Sequence, residues 1–144
     1  MSVDESGPNP DPGFGPAHAM FAADEASKAL GIELLGIGDG TAELRMMVTG
    51  SMVNGYGIAH GGYVFLFADT AFACACNSHG LVTVAAGADI TFVAPAREGD
   101  ELVAVAELRA RYGRSGIYDV RVTRGDELIA EFRGRSRALR PNTL

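Results

Sequence analysis

Residues 54–80 read NGYGIAHGGYVFLFADTAFACACNSHG: a glycine-rich loop, the step His60-Gly61-Gly62, and then a run over 63–76 in which only Asp69 and Thr70 are polar. The run predicts a helix over 62–78. Such a helix is about 25 Å long and carries apolar side chains on every face, the pattern of a helix buried inside a domain. It is too short and too interrupted to span a membrane. An ionised carboxylate there loses hydration, which costs several kcal/mol unless hydrogen bonds or a function offset it. Asp69 therefore demands a reason.

Outward from the helix the pattern changes period. On the N-terminal side, Ala42, Leu44, Met46 and Val48 alternate with Glu43, Arg45 and Met47, a strand with one buried face. It forms a hairpin with a short strand over 32–37, joined through Gly38-Asp39-Gly40. Before that, 17–30 places Met20, Ala23, Ala26 or Ser27, and Leu30 at helical intervals and stops at Gly31, predicting one short amphipathic helix. Residues 1–16 mix Gly, Pro and acids with little apolar content, as a disordered acidic tail does, and lack the basic and apolar regions of a targeting signal. On the C-terminal side, β-branched 82–92 is followed by alternating runs over 102–111, 118–123 and 128–133, with turns at Tyr112-Gly113-Arg114-Ser115-Gly116 and Gly125-Asp126. A hairpin, one long helix and then three or four strands in a meander, five or six strands in all, imply an α+β domain with an antiparallel sheet curling around the helix, spanning 17–140.

A chain of 144 residues fits one domain. Its net charge of −6 argues against a sequence-independent grip on nucleic acid. The charge is uneven: 1–96 carry only Lys28 and Arg45 against ten acids, whereas 97–144 carry ten Arg against eight. A basic site for a phosphorylated small molecule is thus compatible with the second half. Cys74 and Cys76 lie two apart on the helix, point to different sides and cannot bond to each other, so they read as core-filling thiols in a reducing cytoplasm. His18, His60 and His79 stand too far apart for a metal spacing.

The first N–H groups of a helix lack internal partners and carry the positive end of its dipole, so His60-Gly61-Gly62 lets an oxygen approach unhindered. A carbonyl oxygen that becomes an oxyanion during acyl transfer is best served by such donors; a bare glycine turn is the alternative. Asp69 lies about 12 Å from Gly61 along the same helix, too far for one carbonyl to touch both. A catalytic Asp69 thus requires two copies of the helix, side by side across a two-fold axis. Otherwise Asp69 is a carboxylate tied to nearby donors.

Asn54-Gly55, His60-Gly61-Gly62, Ala68-Asp69-Thr70-Ala71-Phe72-Ala73, Ala75-Cys76-Asn77-Ser78 and Gly80 resemble the signature of hotdog-fold acyl-CoA thioesterases of the phenylacetate-degradation (PaaI) type. The likeness extends to Ala17-His18-Ala19-Met20, Lys28-Ala29-Leu30-Gly31-Ile32, Gly116-Ile117-Tyr118-Asp119-Val120 and Phe132-Arg133-Gly134, covering about 17–137. It implies a hotdog fold, dimers joined sheet edge to sheet edge and usually tetramers. It also implies hydrolysis of aryl-acyl-CoA thioesters such as phenylacetyl-CoA without metal or cofactor, coenzyme A being part of the substrate. Asp69 would be the catalytic carboxylate, Gly61 the oxyanion amide with Gly62 beside it, and His60 a neighbour that shapes the loop. Asn54 would be a polar group near the thioester or water, and Thr70 an aid in placing the water.

Coenzyme A brings phosphates, for which Arg114-Ser115-Gly116 and then Arg97 are the candidates. Tyr63, Phe65, Phe67 and Phe72 read as core rather than as an aryl pocket, and His79 as a helix cap or a solvent-facing residue. Arg133, Arg135 and Arg137 alternate as a solvent-facing row that discourages edge pairing. Two other functions fit the same signals: a hotdog enoyl-CoA hydratase or dehydratase using His60, and a non-catalytic acyl-CoA-binding protein. No membrane or nucleic-acid partner is expected.

Overall fold

The computed structural model describes residues 14–140, so most of the expected tail lies outside the described residues. Two short helices, α1 (Gly15–Ala22) and α2 (Glu25–Ala29), precede the hairpin β1 (Glu33–Gly38) and β2 (Thr41–Met47). The long helix α3 (Gly61–Cys76) follows, then β3 (Thr83–Phe92), β4 (Glu101–Tyr112), β5 (Ser115–Arg124) and β6 (Glu127–Ala138). The six strands form one antiparallel sheet in the order β1-β2-β4-β5-β6-β3, wrapped around α3. This is the hotdog arrangement.

Alternation and register place the core. Leu44, Ala104, Val122 and Ala130 stand opposite one another across β2, β4, β5 and β6, and all four are fully buried. The neighbouring row Ala42, Ala106, Val120 and Phe132 does the same. These rows receive Phe67, Ala68, Ala71, Phe72 and Ala75 of α3, so the inner face of the sheet is dry. The outer face is charged and paired: Asp119 accepts a bidentate pair of bonds from Arg133 at 2.7 and 3.0 Å, and Arg135 reaches Asp89 at 3.1 Å.

Four expectations need correction. The helix expected over 17–30 is broken, because Asp24 leaves helical geometry and its carboxylate caps Ser27 N–H, starting α2. The second helix ends at Ala29 with Leu30 as its cap, and Gly31, at φ 69°, turns the chain away as the sequence leads one to expect of a glycine there. The long helix begins at Gly61 and closes at Cys76 in a 3-10 turn over Asn77–His79, ahead of Gly80 at φ 91°. It is not buried all round either: Gly62, Leu66, Asp69 and Ala73, at helical spacing along one stripe, keep partial exposure within the chain. Lastly, β6 is an inner strand between β5 and β3, so its arginines guard no edge; the edges are β1 and β3.

Candidate active site

The first turn of α3 divides its amides unevenly. His60 caps the helix, its backbone extended and its Nδ1 accepting the N–H of Gly62 at 3.0 Å. The N–H groups of Tyr63 and Val64 both turn to the carbonyl of His60, at 3.0 and 3.4 Å. Among the described residues this leaves the Gly61 N–H as the one amide of the turn without an acceptor. It carries the positive end of a helix of 16 residues. Gly62, placed with Gly61 on sequence grounds, has already committed its donor.

The loop before the helix is held by Asn54. Its Oδ1 accepts from the N–H groups of Tyr56 and Ile58, at 2.9 and 3.3 Å, and its backbone pairs with Ile58. The acceptor is spent on the loop, which leaves the side-chain NH₂ as the donor available to a ligand. Asn54 and Gly61 line a groove of about 470 Å³ whose other walls are apolar: Ile58, Val64, Phe92, Pro95 and Ile129. Arg97 stands at its rim, because an antiparallel bridge joins Arg97 to Ile58. Its guanidinium is exposed and makes no ion pair among the described residues.

Asp69 lies two turns further along α3, on the partly exposed stripe. No hydrogen bond or ion pair reaches its carboxylate from the described residues, so the tied-carboxylate alternative finds no partner among them. Burial, reinforced by repulsion from Asp24, holds its pKa above the ordinary carboxylate value. Asp24 is fixed in place by α2: it accepts from Ser27 N–H at 3.0 Å and from Ser27 Oγ at 2.7 Å. Ser27 Oγ in turn meets Thr70 Oγ1 at 2.9 Å, and Thr70 Oγ1 donates to the carbonyl of Leu66 at 3.0 Å. The Thr70 hydroxyl is therefore engaged toward α2, where it helps to hold Asp24 near Asp69.

The remaining candidates collect at the opposite end of α3, about 24 Å from Gly61. Ser115 and Gly116 are strand residues rather than turn residues, and only Gly113-Arg114 turns. A side chain at Gly116 would come within 2.9 Å of Ser136 Oγ and Tyr118 Cε1, so this glycine answers to packing. Arg114 and Ser115 flank a small cleft of about 50 Å³ beside Cys76 and His79. His79 neither caps the helix nor faces solvent. Its Nε2 lies 2.9 Å from the hydroxyl of buried Tyr118, and its Nδ1 lies 3.1 Å from Asp39 and 3.4 Å from Arg111. Burial and the Arg111 charge lower its pKa.

One chain thus brings together Asn54, Gly61 and Arg97, with His60 supporting them. Asp69 stands apart at mid-helix and Arg114-Ser115-Gly116 at the far end. Asp24, Ser27 and the groove residues Phe92, Val64 and Ile129 carried no signal beyond apolar or capping character. Phe67 and Phe72 are core, as expected, and Phe65 packs edge-on against Phe132 at 5.2 Å between centroids.

The family model of the thioesterase superfamily matches residues 56–131. The acyl-coenzyme A thioesterase PaaI of Escherichia coli is 45% identical over 121 residues, which cover 83% of this chain and 86% of that protein. The structure of the E. coli PaaI protein from the phenylacetic acid degradation operon aligns with a TM-score of 0.86 at 41% identity, over 89% of this chain and 94% of that one. A mutant structure of the phenylacetic acid degradation protein PaaI from Thermus thermophilus aligns with a TM-score of 0.78 at 31% identity, over 81% and 100%.

Proposed function

Because the chain belongs to the thioesterase superfamily, we propose that it hydrolyses acyl-coenzyme A thioesters of the arylacetyl class, phenylacetyl-CoA or a hydroxylated relative, in a reducing cytoplasm. The observation that carries this is the unpartnered Gly61 N–H at the mouth of an apolar groove. A thioester carbonyl seated there gains a donor aimed at the charge that develops on its oxygen. Asp69 supplies the other half of the chemistry. Either its carboxylate takes a proton from water, whose oxygen adds to the carbonyl, or it attacks the carbonyl itself and a mixed anhydride is then hydrolysed. In both routes the tetrahedral intermediate collapses by breaking the C–S bond and the CoA thiolate leaves.

The carboxylate comes from a second copy of the chain. A two-fold axis crossing α3 near Phe65, midway between Gly61 and Asp69, sets each beside its counterpart in the other subunit. The stripe Gly62, Leu66, Asp69 and Ala73 is the part of α3 left open for such a partner. Edge strand β3 offers the matching sheet edge, with Val84 within it and Val82 just before it exposed. Two such dimers would give the tetramer. In the antiparallel pair the Arg114 end of one chain approaches the Arg97 end of the other, so both can serve the phosphates of one CoA. Thr70 acts as a positioning residue through Ser27 and Asp24. The hydratase reading needs a base as well as an acid, whereas the Nδ1 lone pair of His60 accepts from Gly62 N–H and leaves the neutral ring with Nε2–H, a donor.

Free-thiol release from a panel of aryl- and fatty-acyl-CoA thioesters tests the activity: release led by phenylacetyl-CoA is expected, and none from any member would end the thioesterase reading. Mixed oligomers test the subunit arrangement. Gly61→Pro removes the amide proton at the first helical position, its ring displacing the Phe92 side chain that faces Gly61, so the variant's folding is checked by circular dichroism; Asp69→Asn removes the carboxylate. Each variant alone should be inactive. Mixed after dissociation and reassociation, they should regain activity, since one site of each hybrid dimer is intact. No recovery from proven hybrids would place both groups in one chain.

A further inference from the structure

Phe92 ends β3 in an unusual position. Its register opposite Ala130, with Ile90 opposite buried Phe132, turns its side chain to the helix side of the sheet. There the tip of the ring meets the backbone of Gly61: a Cβ added at Gly61 would lie 2.8 Å from Cζ and 3.2 to 3.3 Å from the two Cε atoms. No side chain shields the glycine from the ring. Yet the ring is 54% exposed, its other side opening onto the groove that holds Asn54, Ile58, Val64 and Ile129. β3 cannot carry the ring away, because the N–H groups of Val93 and Ala94 both bond the carbonyl of Ile129 and hold the strand end to β6.

We propose that Phe92 is the residue by which this site selects its acyl group, its open side packing against the ring of an arylacetyl chain whose carbonyl is bound at Gly61. The inference rests on the thioesterase reading and names its specificity determinant. A wall one ring away from the oxyanion donor touches the first carbons beyond the carbonyl, where, past a CH2 common to both, an arylacetyl chain becomes a flat ring and a straight chain stays flexible. Aromatic pairs prefer edge-to-face or offset contact, and a half-exposed ring beside an apolar groove has a face left for it. Ile58, Val64 and Ile129 offer apolar contact to any acyl chain, so discrimination falls to the aromatic wall.

The test compares kcat/KM for phenylacetyl-CoA and hexanoyl-CoA in the wild type, Phe92→Ala, Phe92→Leu and Phe92→Tyr. The ratio favouring the aryl substrate is expected to fall about tenfold or more in Phe92→Ala, to fall less in Phe92→Leu and to persist in Phe92→Tyr. Phe92→Leu keeps bulk and apolarity, so a folding defect in the alanine variant does not decide the outcome. A ratio within about twofold of wild type in both Phe92→Ala and Phe92→Leu would overturn the proposal while leaving the thioesterase reading intact. A wild type that releases thiol from neither substrate would remove both.

Discussion

Asp69→Asn is expected to lose at least about a hundredfold in turnover while remaining folded and able to bind CoA. The substitution keeps shape and removes the charge that both catalytic routes need, and no carboxylate of the described residues lines the groove to replace it. Steady-state kinetics with phenylacetyl-CoA, together with a CoA-binding titration, measures it, and near-normal turnover would end the catalytic assignment. The same residue sets the pH dependence. Its raised pKa, caused first by burial and then by Asp24, places the acid limb of kcat/KM above the ordinary carboxylate range near about 4. Asp24→Asn removes the smaller cause and should move that limb to lower pH by part of the displacement. For stability the sign is opposite to that of a paired carboxylate. A folded-state pKa above the unfolded one favours the protonated form, so the penalty grows as pH rises from the unfolded to the folded value and is complete above it. Asp69→Asn should therefore raise Tm at neutral pH even as it abolishes turnover.

The largest structural loss is expected where α3 meets β6. Phe72 is 1% exposed and packs at tilted angles on Tyr118, 5.6 Å between centroids, and on Phe132, 5.8 Å, while its third side lies against Gly134. A Cβ at Gly134 would come within 2.7 Å of three atoms of that ring, which has no room to retreat. Phe72→Ala should cost about 3–5 kcal/mol, a fifth or more of the roughly 5–15 kcal/mol that stabilises an ordinary domain. Gly134→Ala should cost about 1–3 kcal/mol by overpacking, and combining it with Phe72→Leu should cost less than the two changes summed, because the smaller side chain vacates the methyl's place. Urea denaturation at one fixed protein concentration measures these variants and Phe72→Leu alone, and an unchanged midpoint in Gly134→Ala would contradict the contact.

Much of the fold was legible because burial writes itself as period. The run over 63–76 is so nearly free of polar residues that it reads as a core helix, and the alternations of β2, β4, β5 and β6 read as strands with one dry face. What failed was what depends on distant partners. His79 looked like a cap because Tyr118 and Asp39, which claim its two nitrogens, arrive from β5 and from the turn after β1. The arginines of β6 looked like an edge because strand order is not chain order. The break at Asp24 was masked by apolar spacing that runs through it, although Asp three residues before Ser27 is a capping pattern. At the site, the glycines and the lone acid were visible as chemical misfits in an apolar run. Phe92 was not, since an aromatic residue near a strand end is ordinary until the register of β3 on β6 lays it on Gly61.

The contact between Phe92 and Gly61 bears on how such a site can diverge. One missing methyl group serves two ends at once: it bares the amide to the substrate oxygen, and it lets the aromatic wall stand close to the reacting carbon. Position 61 is thus closed to variation on two independent grounds. Position 92 is held only by what the acyl chain requires. A descendant could trade one acyl group for another through a single codon at 92, without disturbing the machinery that breaks the thioester.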